Sequence, residues 1–136
     1  MTRRYSVSGA PAPVTPFSHA VESDGLIYVT GQIASDPLHP RAKLPAGIDA
    51  QTRQVFRNLH IVLAAVGAGF EDVLFVRVYL KRLRRDSEAF GRLYGQVFSD
   101  PRKQPARTTV GVTALARNAL VEVDLVVRRP DDFGTL

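Results

Sequence analysis

The sequence predicts an α+β domain in which a mixed β-sheet has two helices packed on one face. Its 136 residues, 45% of them hydrophobic, suit one compact domain that spans residues 1–136. Two stretches place apolar residues at helical spacing, and five shorter runs are typical of β-strands. Their order, β-β-α-β-α-β-β, favours a mixed sheet with both helices on the same side.

The first two predicted strands form a hairpin. Residues 20–22 and 26–30 flank the pair Asp24 and Gly25, and an Asp-Gly pair between β-favouring runs is typical of a tight turn. Further along, residues 36–47 contain three prolines. Proline lacks the backbone donor that regular elements need, so this segment is predicted to be an exposed loop.

Two amphipathic helices are predicted next. Residues 48–66 have apolar side chains at steps that fit one helical face, and Gly67 stands where a helix often ends in glycine. A second helix is predicted over residues 87–98, before Pro101. Its apolar face comprises Phe90, Leu93, Tyr94 and Val97.

Three later strands are predicted over residues 73–80, 106–112 and 120–127. Side chains alternate along a strand, so the first of these is expected to have apolar residues on both faces. The two expected sets are Leu74, Val76 and Val78 on one side, and Phe75 and Tyr79 on the other. Because the helices cover only one face, the helix-free face is predicted to meet another subunit in a homo-oligomer.

Composition excludes several kinds of site. The chain has no cysteine, so disulfides, thiolate nucleophiles and thiolate metal sites are ruled out. The histidines His19, His39 and His60 lack the spacing of paired metal ligands, and no metal is expected. The basic N-terminus is followed by no signal-like apolar segment, and no apolar run is long enough to span a membrane. We therefore expect a cytoplasmic protein with no membrane partner.

The net charge of +5 allows non-specific attraction to nucleic acid. The one dense basic cluster covers residues 81–85, just before the second predicted helix. A solvated loop is the favoured interpretation, because no recognised nucleic-acid-binding motif accompanies the cluster. Nucleic-acid binding or ribonuclease activity stays an alternative that salt-dependent RNA binding would support.

Arg107 is the first candidate site residue. It follows Pro105 at the start of a β-branched run, so a stiff backbone would aim its side chain. A guanidinium presents a planar fork of donors that matches the two oxygens of a carboxylate. Arg107 is therefore a candidate carboxylate clamp, with an ordinary surface ion pair at a strand end as the alternative.

Five segments together resemble the RidA/YjgF family of reactive intermediate deaminases. They are residues 16–21, 29–33, 51–59, 105–110 and 120–124. The resemblance implies a chorismate-mutase-like fold, a homotrimer with sites between neighbouring subunits, and no metal or organic cofactor. It also implies hydrolysis of enamines and imines, such as 2-aminoacrylate, to 2-keto acids and ammonia.

The resemblance also implies roles for individual residues. Arg107 would bind the substrate carboxylate and Glu122 would position or activate water, although a strand carboxylate more often pairs with a nearby base. Phe17, Thr30, Gly31 and Thr109 would contact substrate as well. Four positions, including Gly91, depart from the common family pattern. Phe17 replaces a tyrosine, Thr30 beside Gly31 replaces a serine, Gly91 replaces an asparagine, and Thr109 replaces a cysteine.

The missing hydroxyl at Phe17 keeps a second functional interpretation open. Phe17 is as consistent with core packing as with substrate contact. A non-catalytic trimer that binds small carboxylates or 2-keto acids and regulates a partner is the alternative to a deaminase.

Overall fold

The computed structural model describes residues 1–13 and 15–130, which form one six-stranded sheet and two α-helices. The strands are β1 (Thr2–Tyr5), β2 (Ala20–Ser23), β3 (Leu26–Gln32), β4 (Val73–Leu80), β5 (Ala106–Gly111) and β6 (Val121–Arg128). The helices are α1 (Ile48–Ala65) and α2 (Leu83–Val97). The strand order is β1-β2-β3-β6-β4-β5, with β4 and β5 parallel and all other neighbours antiparallel. The predicted α+β class with a mixed sheet is confirmed.

The hairpin between β2 and β3 turns at the predicted pair. Asp24 has φ 53° and Gly25 has φ 79°, so both central residues adopt the left-handed conformation that tight hairpin turns require. Strand β1 was not predicted. It pairs with β2 at the edge of the sheet, and its sequence lacks the apolar alternation that marks a half-buried strand.

Helix α1 agrees with its prediction to within one residue, and Gly67 follows it at φ 79°. The predicted start of α2 was wrong by four residues, because Arg84 and Arg85 lie in its first turn rather than in a loop. Basic residues at a helix start oppose the helix dipole and so disguised it. The buried carboxylate of Asp86 compensates, since it accepts two hydrogen bonds from Arg85 at 2.8 and 2.9 Å.

One expectation for β4 was also wrong. Val73 pairs with Val127 but Phe75 pairs with Val126, so β4 contains one extra residue at this point. This β-bulge breaks the alternation. Leu74 is 43% exposed and does not share the buried face of Val76 and Val78.

The hydrophobic core lies between the sheet and the two helices. It includes the inward side chains of β4 and β6 and the apolar face of α1. Two buried amides tie loops to this core. Asn58 donates to the carbonyls of Ile33 and Ser35 at 3.0 and 2.8 Å. Gln51 donates to the Pro45 carbonyl and accepts from the backbone amide of Leu120, both at 2.9 Å.

The face of the sheet opposite the helices is partly exposed. Tyr28 is 49% exposed there, whereas Phe75 and Tyr79 are half-buried. Asp124 organises its polar part by accepting from Arg77 Nε at 2.8 Å and from the Tyr79 hydroxyl at 3.0 Å. The homo-oligomer expected at this face stays a prediction. Within the described part of the chain, neither α-helix combines the length and apolar character needed to cross a membrane.

Candidate functional site

A cavity of about 340 Å³ lies where β3 ends and β6 begins. Four of the predicted site residues line it: Phe17, Thr30, Gly31 and Glu122. Its other lining residues come from the N-terminal segment, the end of β3 and the turn before β6: Pro11, Ala12, Thr15, Gln32, Ile33, Ser35, Ala116 and Arg117. Segments far apart in the sequence therefore meet here.

The wall that contains Phe17 is fixed by hydrogen bonds to β3. The Thr30 hydroxyl donates to the Ser18 carbonyl at 2.7 Å, and the Thr30 amide donates to the His19 carbonyl at 3.0 Å. His19 itself is buried, accepts from the Val7 amide and lies 2.8 Å from the Pro11 carbonyl. The hydroxyl retained at Thr30 thus serves the backbone, and His19 fastens the N-terminal segment.

Gly31 brings the β3 backbone against Glu122. The register of β3 on β6 shifts between Val29 and Gln32, so the strand bulges at this point. A Cβ atom at Gly31 would lie 3.0 Å from Glu122 Cδ and would clash with its Oε2. Only glycine leaves room for the carboxyl group in this position.

The Glu122 carboxyl is suited to proton transfer. Burial raises its pKa above the ordinary value of 4.5, and the negative charge of Asp124 raises it further. A carboxyl with a raised pKa holds its proton more readily than an ordinary glutamate does, so it can act as a proton donor as well as an acceptor. Its position in a cavity makes it the main chemical group of this site.

Arg107 and Thr109 lie on β5 and do not line this cavity. Arg107 pairs in register with Val76, a residue that faces the helices, and its Cζ lies 4.5 Å from the centre of the Tyr94 ring. Glu122 pairs with Tyr79 on the opposite face, so a single chain does not bring Arg107 and Glu122 together.

Thr109 lies two residues further along β5. Its hydroxyl is buried and has no hydrogen-bond partner among the described residues. Gly91 lies on α2, one turn before Tyr94, and in the described part of the chain an added Cβ would meet no atom within 4 Å beyond its own helix backbone and chain neighbours. Neither residue lines the cavity around Glu122.

Arg117 is the charged cavity residue that the sequence did not reveal. It has φ 55° in the turn before β6, and it donates to Ser35 Oγ at 3.0 Å and to the Ala42 carbonyl. A single arginine in a turn matches no motif.

The family comparison covers nearly the whole chain. Residues 7–129 match the model of the endoribonuclease L-PSP family. The chain belongs to this family. A RutC family protein of Synechocystis is 39% identical over 89% of this chain and 92% of its own length. The 2-iminobutanoate/2-iminopropanoate deaminase of Dermatophagoides farinae is 33% identical over 92% of this chain and 94% of its own.

Solved L-PSP family structures have the same fold. RidA from an Antarctic Psychrobacter superimposes with a TM-score of 0.85 at 31% identity, covering 93% of this chain and 98% of that one. The YjgF protein of E. coli gives a TM-score of 0.84 at 26% identity, covering 94% and 99%. The resemblance to RidA and YjgF found in the sequence is therefore confirmed.

Proposed function

We propose that this L-PSP family protein hydrolyses reactive enamines and imines, such as 2-aminoacrylate, to 2-keto acids and ammonia. The observation that carries the proposal is the Glu122 carboxyl, which lines a cavity, lies against Gly31 and has a raised pKa. The name of the Dermatophagoides relative supports the same reaction class.

Glu122 would move the protons of the reaction. An imine carbon accepts water more readily once its nitrogen is protonated. Glu122 in its protonated form gives its proton to the imine nitrogen, and the carboxylate then takes a proton from the attacking water as the new C–O bond forms. The resulting carbinolamine then transfers its hydroxyl proton through Glu122 to the amine. The C–N bond breaks, and a 2-keto acid and ammonia leave.

Arg107 would hold the substrate carboxylate from a neighbouring subunit. Arg107 and Glu122 lie on opposite faces of one sheet, so they can serve one substrate only when two chains meet. Strand β5 forms the sheet edge and presents Arg107 there, exposed and supported by Tyr94. We therefore propose a homotrimer with its sites between subunits.

A coupled assay tests the deaminase proposal. An amino-acid oxidase generates 2-imino acids, and 2-keto acid release is followed with the wild type, Arg107→Ala and Glu122→Gln. We expect the wild type to accelerate release and each variant to lose at least about tenfold in kcat/KM, since charged contacts contribute about 1.5–3 kcal/mol. Arg92→Gln removes an exposed charge from α2 and is the matched control. Full activity in Arg107→Ala would refute the clamp.

Phe17 supports a second candidate, a non-catalytic binder of 2-keto acids. Its ring lines the cavity, is 44% exposed and offers no hydroxyl to substrate or water. Calorimetry with 2-oxobutanoate distinguishes the candidates. Tight binding without turnover of any imine supports the binder, whereas imine hydrolysis by the wild type removes the basis for it.

A further inference from the structure

Arg117 gives the cavity a positive end within a single chain. It lines the same cavity as Glu122, on the turn that precedes β6. We propose that Arg117 binds a second anionic group of the ligand, so that the preferred substrates are 2-imino acids whose side chain ends in a carboxylate. This inference rests on the proposed deaminase function and adds a substrate class to it.

The guanidinium of Arg117 has donors available for a ligand. Of its five N–H donors, one bonds Ser35 Oγ and one bonds the Ala42 carbonyl, and both acceptors are uncharged. Within residues 1–13 and 15–130, Arg117 forms no ion pair with a carboxylate. A carboxylate entering the cavity would therefore meet a cation with an unmatched charge and a fork-shaped set of donors.

Arg117 and Glu122 line the same cavity, and within the described residues they form no ion pair with each other. The pKa of Glu122 is raised by burial and by Asp124, the opposite of what a guanidinium in contact with it would cause. Both groups line the cavity of about 340 Å³, which falls within the size range of small-molecule sites. A substrate can thus place its reacting carbon near Glu122 and a terminal carboxylate near Arg117.

A basic cleft on the other side of Arg117 extends the positive field. The cleft measures about 420 Å³, and Arg41, Lys43 and Arg117 contribute its charges. Among the residues that the structure describes, no acidic one lines it, and its remaining lining residues are Leu44, Gln51 and Asn118. Clefts lined by charges of one sign concentrate ligands of the opposite sign. The adjoining cleft therefore favours anionic over neutral side chains.

The backbone holds Arg117 in an uncommon conformation. Arg117 and Asn118 have φ values of 55° and 57°, a region that costs energy for residues other than glycine. The turn is fixed at its end by the hydrogen bond from Leu120 to the buried Gln51. A strained and anchored turn that aims a cation into a cavity fits a binding role.

Matched keto acids test the inference by binding. Calorimetry compares 2-oxoglutarate with 2-oxopentanoate, which has the same carbon chain without the second carboxylate. We expect wild type to bind 2-oxoglutarate more tightly. The Arg117→Gln variant should bind 2-oxoglutarate about tenfold or more weakly than the wild type does, because it lacks the charged hydrogen bond to the second carboxylate. Its affinity for 2-oxopentanoate should fall by less than about twofold. Arg117→Lys keeps the charge and should retain part of the preference.

Arg92→Gln controls for the loss of one positive charge and should not change either affinity. Equal losses for both ligands would show that Arg117 is the principal carboxylate clamp and would overturn the inference. Unchanged binding of 2-oxoglutarate in Arg117→Gln would also overturn it. The imine assay separates the two proposals. If the wild type hydrolyses imines and Arg117→Gln hydrolyses the imine of 2-oxoglutarate as fast as the wild type does, only the dicarboxylate preference is rejected. If no imine is hydrolysed, the deaminase proposal fails and the binding comparison still decides the role of Arg117.

Discussion

At Gly31 the backbone of β3 passes so close to Glu122 that no side chain fits between them. Thr30, beside it, uses its hydroxyl to hold the segment that includes Phe17. Gly31 thus sets the position of the Glu122 carboxyl, and Thr30 holds the segment that contains Phe17. The shape of the cavity therefore depends on the backbone at Gly31 and on the hydrogen bond from Thr30 to the Ser18 carbonyl.

Replacing Gly31 with alanine should displace the Glu122 carboxyl. We expect kcat/KM for imine hydrolysis to fall by roughly tenfold to a hundredfold, as small displacements of catalytic groups do. We expect a smaller effect on stability, because the clashing atoms belong to the flexible end of the Glu122 side chain. Steady-state kinetics and thermal unfolding measure both effects.

Gly95→Ala is the matched control for Gly31→Ala. Gly95 lies on the exposed side of α2, and an added Cβ there meets no atom within 4 Å. Alanine should stabilise this helix by about 0.5–1 kcal/mol and leave activity unchanged. Normal activity in Gly31→Ala would contradict the proposed role of the β3 bulge.

At one side of the sheet, a cluster of three polar side chains joins elements from both ends of the described chain. Glu22 on β2 accepts from Arg129 Nε at 2.6 Å and from the Tyr5 hydroxyl of β1 at 2.7 Å. Hydrogen bonds from Arg129 and then from Tyr5 lower the pKa of this buried carboxylate from 4.5 to about 2. This group fastens β1 and the residue after β6 to the β2–β3 hairpin.

The lowered pKa of Glu22 predicts a pH-dependent contribution to stability. A carboxylate with a depressed folded-state pKa stabilises the fold above its unfolded pKa and loses that effect as pH falls through the folded value. Glu22→Gln should therefore cost on the order of 2 kcal/mol near pH 7, after allowance for solvent screening. The difference from wild type should shrink as pH falls from 4.5 toward 2.

Thermal unfolding across this pH range measures the effect. Glu88→Gln, which removes a carboxylate that is 92% exposed, is the control and should behave like wild type. A stability difference between Glu22→Gln and wild type that does not change with pH would show that packing, rather than the ion pair, holds these elements together.

The whole molecule has one sheet face covered by helices and one partly open. Tyr28 and Phe75 belong to the open face, and the separation of Arg107 from Glu122 gives the proposed trimer a functional reason. Assembly and activity should therefore be lost together when this face is disrupted.

Tyr28→Asp should dissociate the proposed trimer. Tyr28 is 49% exposed in one chain, so a charge there is tolerated by the monomer but is costly in a subunit interface. Sedimentation velocity should show a trimer for wild type and smaller species for the variant, with reduced imine hydrolysis. Leu38→Glu is the control, because Leu38 lies in the loop before α1 and is 83% exposed. A monomeric wild type at micromolar concentration would refute the trimer.

Sequence patterns predicted the features that depend on neighbouring residues. The Asp24-Gly25 turn and the stripe of α1 are local, and both were found where expected. The start of α2 was missed because its compensating contact, buried Asp86, depends on tertiary packing. Strand β1 depends on pairing with a distant strand.

The residues of the candidate site were also predictable only in part. Phe17, Thr30, Gly31 and Glu122 were identified through family-like segments and do meet in one cavity. Arg117 was missed because its place there depends on the left-handed backbone of a turn and on a hydrogen bond to Ser35, 82 positions away. No local pattern encodes such a contact.

The two edge strands of the sheet differ in how well their side chains protect them from pairing with strands of other chains. Strand β1 places Arg3 and Arg4 along its edge, and charged side chains discourage pairing with foreign strands. Strand β5 ends the opposite edge with Thr108, Val110 and Gly111 beyond its single arginine, and Val110 is 39% exposed. A chain held apart from other copies would therefore offer an unguarded template at β5, so that dilution, mutation or misassembly exposes this strand to aggregation.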